Sequence, residues 1–382
     1  PQAVIIQRAT IARLDVERGD IRERDARRLV VDDSDPARQT LLDLRLTATR
    51  LLGQREFRAA MPFLQSLRDR APQDAAAWLM LGNAYAALAD HAQAEICYDA
   101  AKALLPRAVA YVALLHRGLN RLHERDHAGA IADFSQGLQR RPSLVCGYLN
   151  RGLAYAALQQ HRAAVADYTR ALELGATQTR IYFLRSRSFL ALGEREQARI
   201  DYKTGLEQTP TDELSWIARG VARLPRDPAA ALDDFRAALR LAPHSLVALQ
   251  NIYHVTADRL ALYDDARAAL NGVLAMQPDN ASALAGRAVL SAREADRAAA
   301  LTDLERLLRM SQGPVHQFQA ACVLSLTSAE MPADADRAFA HLAKAILAAP
   351  ELAERANSDP DLANLRQAAR FDEVLETAVQ LH

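Results

Sequence analysis

Cysteine and aromatic residues are scarce in this chain. Its 382 residues include 3 cysteines, Cys97, Cys146 and Cys322, which lie far apart in segments with helical patterning. This spacing does not suggest a disulfide framework, so we expect buried thiols in a reducing compartment, with the cytoplasm as the location. Aromatic residues make up 5% of the chain although 50% is hydrophobic, and such a balance is typical of an all-helical protein with close contacts between helices.

Long apolar runs and an excess of one charge are also missing. No uncharged apolar run reaches the roughly 18 residues that a membrane-spanning helix needs, so we expect no membrane insertion. Acidic and basic residues number 47 each, which gives no bulk attraction to nucleic acid. The chain begins at Pro1 rather than at Met. We therefore expect a fragment of a longer protein, and the lack of a signal peptide carries little weight.

A repeat of about 34 residues runs through most of the chain. Each copy contains two amphipathic helical segments joined by a polar turn, and large residues alternate with small ones, as close antiparallel packing requires. Prolines follow the helix-like segments, where they stop a helix. Counting back from them gives repeat starts near residues 41, 75, 111, 145, 179, 213, 247, 281 and 315.

The repeat resembles the tetratricopeptide repeat (TPR), a helix–turn–helix unit. The clearest copy supplies Trp78, Leu81, Gly82, Tyr85, Ala94, Tyr98, Ala101 and Pro106 at the family's positions. The resemblance implies an all-α fold, a right-handed TPR superhelix (an α-solenoid) of about nine helical hairpins. We assign residues 1–40 to a degenerate N-terminal hairpin, 41–350 to the repeat array and 351–382 to helices that cap its open apolar face.

The last part of the chain shows a narrower resemblance. Residues 320–326 and 359–362 are similar to the closing segment of repeat arrays attached to planctomycete-type bacterial serine/threonine kinases, and residues 211–216 and 248–251 add to the likeness. The chain contains no kinase motif. The resemblance therefore implies a bacterial, carboxy-terminal partner-binding region with any catalytic domain upstream.

Comparison of the copies within this chain reveals a paired pattern. Five copies carry Arg at their seventh position and Asp at a fixed position of the second helix, and copies that lack the Arg also lack the Asp. The pairs are Arg117–Asp133, Arg151–Asp167, Arg185–Asp201, Arg219–Asp234 and Arg287–Asp303. Because the two positions face each other in an antiparallel hairpin, we predict an Arg–Asp ion pair in each copy. The alternative is common descent by duplication without coupling.

Catalytic motifs are absent apart from one short match. The chain has no P-loop, G-x-G-x-x-G or G-x-S-x-G segment, so nucleotide binding and serine hydrolysis have no support. Residues 123–127 match the H-E-x-x-H pattern of zinc proteases, which requires both histidines on one continuous helix. These residues fall in the turn between two predicted helices, and no third ligand is apparent. We therefore predict no catalytic residue, no metal site and no cofactor.

The remaining candidates form a surface. In the family that the chain resembles, first helices line the concave face, so the resemblance places an apolar groove with polar flanks there. The predicted partner-binding residues are Asn83, Val112, Leu115, Leu119, Leu149, Asn150, Leu153, Arg180, Phe183, Arg187, Leu190, Ile217 and Val221. In the alternative, the apolar members pack against neighbouring first helices and leave only their edges exposed.

The sequence therefore favours a non-enzymatic scaffold that binds a peptide or helix of a partner protein in this groove. The alternative function is a regulatory or self-association region of a larger signalling enzyme, such as a serine/threonine kinase. In that case the surface would bind its own chain or a second copy, and a homo-oligomer could form.

Overall fold

The computed structural model describes residues 40–107 and 109–380, and every regular element in these residues is helical. The chain divides into two compact units, one ending at Arg219 and the other beginning at Gly220. The degenerate hairpin expected at residues 1–40 lies outside the described residues, except for Thr40. Thr40 caps the first described helix by accepting a hydrogen bond from Asp43 N.

The first unit is a succession of helical hairpins. Its helices are α1 (Leu41–Gly53), α2 (Phe57–Arg70), α3 (Ala75–Ala87), α4 (His91–Leu104), α5 (Tyr111–His123), α6 (His127–Arg140), α7 (Val145–Ala157), α8 (His161–Glu173), α9 (Arg180–Ala191) and α10 (Arg195–Glu207), and the unit ends within α11 (Glu213–Arg223). Odd-numbered helices are the first helices of hairpins, and even-numbered helices are the second.

The second unit continues the pattern and ends in shorter helices. Its elements after α11 are α12 (Pro228–Leu241), α13 (Leu246–Asp258), α14 (Tyr263–Met276), α15 (Ala281–Arg293), α16 (Arg297–Met310), α17 (Pro314–Thr327), α18 (Ala333–Ala348), α19 (Leu352–Ser358), a 3₁₀ turn (Pro360–Leu362), α20 (Ala363–Arg366) and α21 (Arg370–Gln380).

Aspartates begin many of the second helices. Asp90, Asp126, Asp227 and Asp296 each accept a hydrogen bond from the backbone N–H three residues further on, at 2.9–3.2 Å. Such N-caps satisfy donors that the first helical turn leaves open, and each contributes about 1 kcal/mol. The polar turns therefore fix where the second helices start.

Rings on second helices pack against glycines on first helices. A Cβ atom at Gly152 would lie 2.6 Å from Tyr168 Cε1, and one at Gly118 would lie 2.7 Å from Phe134 Cε1. Both rings are fully buried. Only a residue without a side chain permits this approach, so the alternation of small and large residues sets the distance between the paired helices.

The hairpin of α9 and α10 reverses this arrangement. Phe183 on the first helix packs against Gly205 on the second, where a Cβ atom would lie 2.8 Å from its Cζ. The rings of Phe183 and Tyr202 meet edge to face with centroids 5.8 Å apart. Ser186 replaces the usual glycine and donates its hydroxyl to Ala198 O at 2.7 Å. Phe183 therefore belongs to the core of the hairpin.

The short helices at the end of the second unit pack against α17 and α18. They bury Leu362, Leu365 and Phe371. Arg293 on α15 donates two hydrogen bonds to the Asp361 carboxylate, each at 2.9 Å. These contacts cover a helix, α17, that is buried on most of its sides.

The prediction of an all-α repeat fold is confirmed by these elements, whereas the right-handed twist of the array stays a prediction. None of the described helices combines the length and the apolar character that crossing a bilayer requires.

Candidate partner-binding face

The predicted groove residues differ widely in exposure. Seven are buried: Leu115, Leu119, Leu149, Asn150, Arg180, Phe183 and Ile217. Four are half-buried: Asn83, Val112, Leu153 and Val221. Two are exposed: Arg187 and Leu190.

Packing fills most of the expected apolar groove. Leu115 and Leu119 lie in one core cluster with Phe134, and Leu149 lies in another with Tyr168. The expectation that these leucines present apolar surface to a partner is therefore corrected, and the same holds for Phe183 and Ile217, which are 8% and 4% exposed. The small residues of the repeat bring helices close enough to bury these side chains.

A narrower surface remains on α7 and α9 of the first unit, and we call it the candidate face. It consists of Asn150, Leu153, Arg180, Arg187 and Leu190, which have either accessible side chains or buried polar atoms without partners. The two helices are the first helices of successive hairpins and contact each other directly.

Asn150 is the first unusual residue of the candidate face. Its residue is 1% exposed, and its Oδ1 atom has no hydrogen-bond partner among the described residues. Asn120 on α5 is also buried, but its Oδ1 lies 2.7 Å from His91 Nδ1 and its Nδ2 donates to His91 O at 3.0 Å. The carboxamide of Asn150 therefore keeps hydrogen-bonding capacity that the rest of the unit does not use.

Arg180 is the second unusual residue of the candidate face. It is 6% exposed, and its Nη1 lies 3.7 Å from Asp212 Oδ1. Within residues 40–107 and 109–380, its Nε has no hydrogen-bond partner. The Asp212 carboxylate already accepts from Ser215 N at 3.0 Å and from Ser215 Oγ at 2.6 Å. Burial lowers the pKa of Arg180, while the negative charges of Asp212 and Glu213 act to raise it. Arg180 is thus a buried cation with incomplete compensation.

The hydroxyl of Tyr168, on α8, is a third atom without a hydrogen-bond partner in the part of the chain that the structure describes. The equivalent Tyr98 donates its hydroxyl to Asn83 Oδ1 at 3.0 Å, but Leu153 takes the place of that asparagine beside Tyr168. Burial raises the pKa of Tyr168, and the positive charge of Arg187 acts in the opposite sense. Arg187 lies on α9, which packs directly against α8.

Four of the five predicted Arg–Asp pairs are confirmed. Arg117, Arg151, Arg185 and Arg287 each donate Nε and Nη2 to the two oxygens of their aspartate. The fifth pair, Arg219 and Asp234, belongs to different units and stays a prediction. Arg219 donates to Gln208 O at 2.8 Å, and Asp234 accepts from Arg223 Nη1 at 3.1 Å.

The sequence comparison missed a further contact of the same arginines. The remaining Nη1 donates to a polar side chain on the preceding hairpin, so one guanidinium links three helices. Three such contacts are Arg151–Ser135 Oγ at 3.0 Å, Arg185–Thr169 Oγ1 at 3.0 Å and Arg287–Asn271 Oδ1 at 2.7 Å. Each acceptor directly follows the second-helix residue that packs on the first helix. A polar side chain at that position is the sequence signal that could have predicted the contact.

The sequence model of the tetratricopeptide repeat family matches residues 45–109 and 149–213. The chain contains tetratricopeptide repeats. A search of curated proteins returns no match.

Solved structures with low identity also match. MamA from Desulfovibrio magneticus RS-1 is 17% identical, with a TM-score of 0.41 over 47% of this chain and 96% of that chain. The C-terminal part of a TPR protein from Cytophaga hutchinsonii is 17% identical, with a TM-score of 0.40 over 64% and 98%. A chain of the APC/C hetero-tetramer Cut9–Hcn1 is 18% identical, with a TM-score of 0.45 over 80% of this chain and 55% of that chain.

The H-E-x-x-H segment forms the turn of one TPR hairpin. His123 is the last residue of α5 and His127 the first of α6. Between them, Arg125 has a φ of +63°, which breaks the helix. The continuous helix that a zinc protease needs is therefore not formed.

One group in the described TPR units could bring three metal-ligand atoms together: Cys322, Asp359 and Asp361. Both oxygens of Asp361 accept from Arg293, and Asp359 accepts from the backbone of Asp361 at 3.1 Å. Burial raises the pKa of the Cys322 thiol well above its usual range, so the thiol stays protonated. We interpret the group as part of the packing of the terminal helices, because its carboxylates already have partners.

The cysteines are free thiols. The expectation of burial is confirmed for Cys97 and Cys322, whereas Cys146 is half-buried. Burial raises the pKa of Cys97 to about 11. A protonated thiol is a poor nucleophile, so Cys97 has a packing role in its TPR hairpin.

Proposed function

We propose that the chain is a non-enzymatic scaffold that binds a peptide segment of a partner protein on the candidate face. The observation that carries this proposal is the unpartnered Oδ1 atom of the buried Asn150. A buried polar atom without a partner costs about 1–3 kcal/mol, and native proteins contain few of them. The backbone N–H of a bound peptide would supply the missing donor.

The surroundings of Asn150 favour a peptide over a small molecule. Leu153 is half-buried on the same helix, and Leu190 on α9 is 57% exposed. Apolar side chains beside a backbone-binding amide suit an extended segment, because alternate side chains can contact the leucines while the main chain contacts Asn150. The role of residues 123–127 as a turn further supports binding over catalysis.

The proposal is tested by selecting peptides from a random phage-displayed library on the purified chain. Dissociation constants of the selected peptides are then measured by fluorescence anisotropy. We expect Asn150→Ala and Leu153→Asp each to weaken binding at least about tenfold, which corresponds to about 1.4 kcal/mol. The first variant removes the acceptor, and the second places a charge in the apolar part of the face.

Leu158→Asp is the matched control, because Leu158 is 40% exposed and lies at the end of α7, outside the candidate face. Circular dichroism checks that all variants keep their helicity. Peptides whose affinity falls equally with Leu153→Asp and Leu158→Asp would contradict the proposal, as would a library that yields no binder.

A second candidate function is self-association. Ile96 on α4 and Ile200 on α10 occupy equivalent positions of two second helices and are 56% and 52% exposed. Exposed aliphatic side chains of this kind are available for contact with a second copy. Light scattering tests this function: a mass that rises with concentration and returns to the monomer value in Ile96→Asp supports it, and a constant monomer mass removes it.

The self-association function would fit a regulatory region of a larger bacterial serine/threonine kinase. The similarity of residues 320–326 and 359–362 to kinase-linked arrays supports this context. The coding sequence upstream decides it, because an upstream reading frame without a kinase domain would remove the proposal. The free thiols support a cytoplasmic location, and oxidised thiols in protein isolated under alkylating conditions would argue against that location.

A further inference from the structure

Two arginines on α9, Arg180 and Arg187, are less completely paired than comparable arginines of the chain. The Arg185 guanidinium, on the same helix, contacts Asp201 twice and Thr169 once. Arg180, although buried, has an unpartnered Nε and one carboxylate at 3.7 Å. Arg187 is exposed, and no carboxylate in the described residues pairs with it. The difference lies in the side of the helix, because Arg185 points to its hairpin partner.

Arg180 and Arg187 lie on the same side of α9. They are seven residues apart, which is close to two helical turns, so their Cα atoms are separated by about 10.5 Å along the axis. Both belong to the candidate face. A ligand that pairs with both arginines would therefore carry two negative groups on one side at about this separation.

The buried hydroxyl of Tyr168 adds a third requirement. It is a donor without an acceptor among the described residues, its residue is fully buried, and it lies on α8, which packs against the helix that carries Arg187. A carboxylate can accept from a guanidinium and a phenol together, since each of its oxygens has two acceptor sites. An anionic group at Arg187 would thus satisfy both side chains.

We infer that the candidate face binds an acidic peptide segment with Asp or Glu residues at positions i and i+3, one carboxylate on Arg180 and the other on Arg187 and Tyr168. This inference rests on the proposed function and adds charge and spacing to it. In a polyproline II segment, residues i and i+3 lie on one side about 9.3 Å apart, which long arginine side chains can match. A backbone N–H between the two acidic residues would donate to Asn150.

The charge distribution favours an acidic peptide over nucleic acid. Leu153 and Leu190 belong to the same face as the arginines, and acidic and basic residues are balanced over the chain at 47 each. A nucleic-acid site needs an extended basic surface that follows many phosphates. Two cations beside two leucines instead match two carboxylates on a short amphipathic segment.

The inference is tested with two fluorescein-labelled peptides of the same length. GSEPLEPSG carries glutamates at i and i+3, and GSQPLQPSG replaces both with glutamine. We expect the glutamate peptide to bind at least about tenfold more tightly, since charge-assisted bonds are roughly twice as strong as neutral ones. Raising the salt concentration should weaken the glutamate peptide selectively. Equal affinities for the two peptides overturn the inference.

Variants of the chain test which side chains bind the carboxylates of the glutamate peptide. Arg187→Glu should weaken the glutamate peptide at least about tenfold and leave the glutamine peptide unchanged. Tyr168→Phe should lower affinity for the glutamate peptide a few-fold without loss of packing, since Phe134 occupies the equivalent place in another hairpin. Arg162→Glu is the matched control: Arg162 is exposed on α8, outside the candidate face. Equal losses in Arg187→Glu and Arg162→Glu would reduce the effect to net charge and overturn the inference.

The library selection separates this inference from the proposed function. Peptides that depend on Leu153 but show no enrichment of acidic residues at i and i+3 overturn the inference and leave the scaffold function standing. Absence of any Leu153-dependent peptide contradicts the scaffold function itself. Binding of a fluorescent oligothymidine that is lost in Arg187→Glu but not in Arg162→Glu would assign the face to nucleic acid and overturn the acidic-peptide inference.

Discussion

Arg151 shows how a single guanidinium can link three helices. From α7 it donates to both oxygens of Asp167 on α8 at 2.8 Å, and to Ser135 Oγ on α6 at 3.0 Å. The Asp167 carboxylate is buried, while Arg151 keeps a fifth of its side-chain surface exposed. The hydrogen bond to Asp167 raises the pKa of Arg151. The ion pair therefore joins the two helices of one hairpin, and the hydrogen bond to Ser135 connects that hairpin to the preceding one.

A double-mutant cycle on Arg151 and Asp167 should reveal strong coupling. We expect Arg151→Ala to lower the free energy of unfolding by about 3 kcal/mol, because it leaves a buried carboxylate without its partner. The coupling energy should be about 2 kcal/mol, within the range for residues in direct contact. Urea unfolding followed by circular dichroism measures both quantities.

The control cycle uses Arg170 and Glu173, an exposed pair on α8 at 2.9 Å. Solvent screens that pair, so its coupling should lie within experimental error of zero. Coupling at Arg151 and Asp167 no larger than in this control would show that the repeated Arg–Asp pattern reflects duplication alone.

The Arg–Asp pairs could be predicted from sequence because the repeats provide internal copies to compare. The unpartnered atoms of Asn150, Arg180 and Tyr168 could not. Whether a buried polar atom finds a partner depends on the side chains of two neighbouring hairpins, such as Leu153 standing where Asn83 stands beside Tyr98. A pattern within one repeat does not contain that information.

At the scale of elements, the turns within hairpins share one backbone feature. The residue fifteen places into many repeats has a positive φ: +63° at Arg55, Ala89 and Arg125, +61° at Gln159, +62° at Ala295 and +79° at Gly193. For a residue with a side chain this conformation costs roughly 1–2 kcal/mol. Only one of these turns uses glycine, so the others carry backbone strain.

Ala295→Gly should therefore stabilise the chain. We expect the free energy of unfolding to rise by about 0.5–1 kcal/mol, because relief of the left-handed strain exceeds the added entropy of the unfolded glycine. Ala298→Gly, three residues further on and exposed within α16, should instead lower it by about 1 kcal/mol. Thermal and urea unfolding of the two variants measures both. The same sign for both substitutions would contradict the strain argument.

The exchange of ring positions between α9 and α10 could not be predicted from the repeat pattern. Phe183 was expected on the binding surface because the family resemblance places first-helix residues on the concave face. In other hairpins of this chain the large ring lies on the second helix and packs on a glycine of the first. Gly205 reverses that relation, since it opens space on α10 that Phe183 fills. The signal was a glycine on the second helix together with Ser186 on the first. A glycine on the second helix indicates inverted packing only when the first helix also lacks its usual glycine, as it does at Ser186.

Across the whole molecule, the all-α repeat fold followed from the period, but the contacts of the terminal helices did not. Arg293 reaches Asp361 from 68 residues away, and Arg297 reaches Asp334 from 37. Each contact occurs once, whereas the Arg–Asp pairs recur at a separation of 16 residues. A contact without copies leaves no internal pattern, so only the structure reveals how the second unit ends.

Loss of the Arg293–Asp361 pair should loosen the end of the second unit. Asp361→Asn removes the charge that holds the 3₁₀ turn to α15, and it should lower the free energy of unfolding by about 2 kcal/mol, less than for a fully buried pair because Arg293 is partly exposed. Freed terminal helices would uncover Phe318 and Leu324 on α17, which are at most 1% exposed in the folded chain. Binding of the dye ANS should therefore increase.

Asp372→Asn on α21 is the control, since Asp372 is exposed, and it should change stability by no more than about 0.5 kcal/mol. Unchanged dye binding and unfolding midpoint in Asp361→Asn would mean that the apolar contacts of Leu362, Leu365 and Phe371 hold the terminal helices without the ion pair.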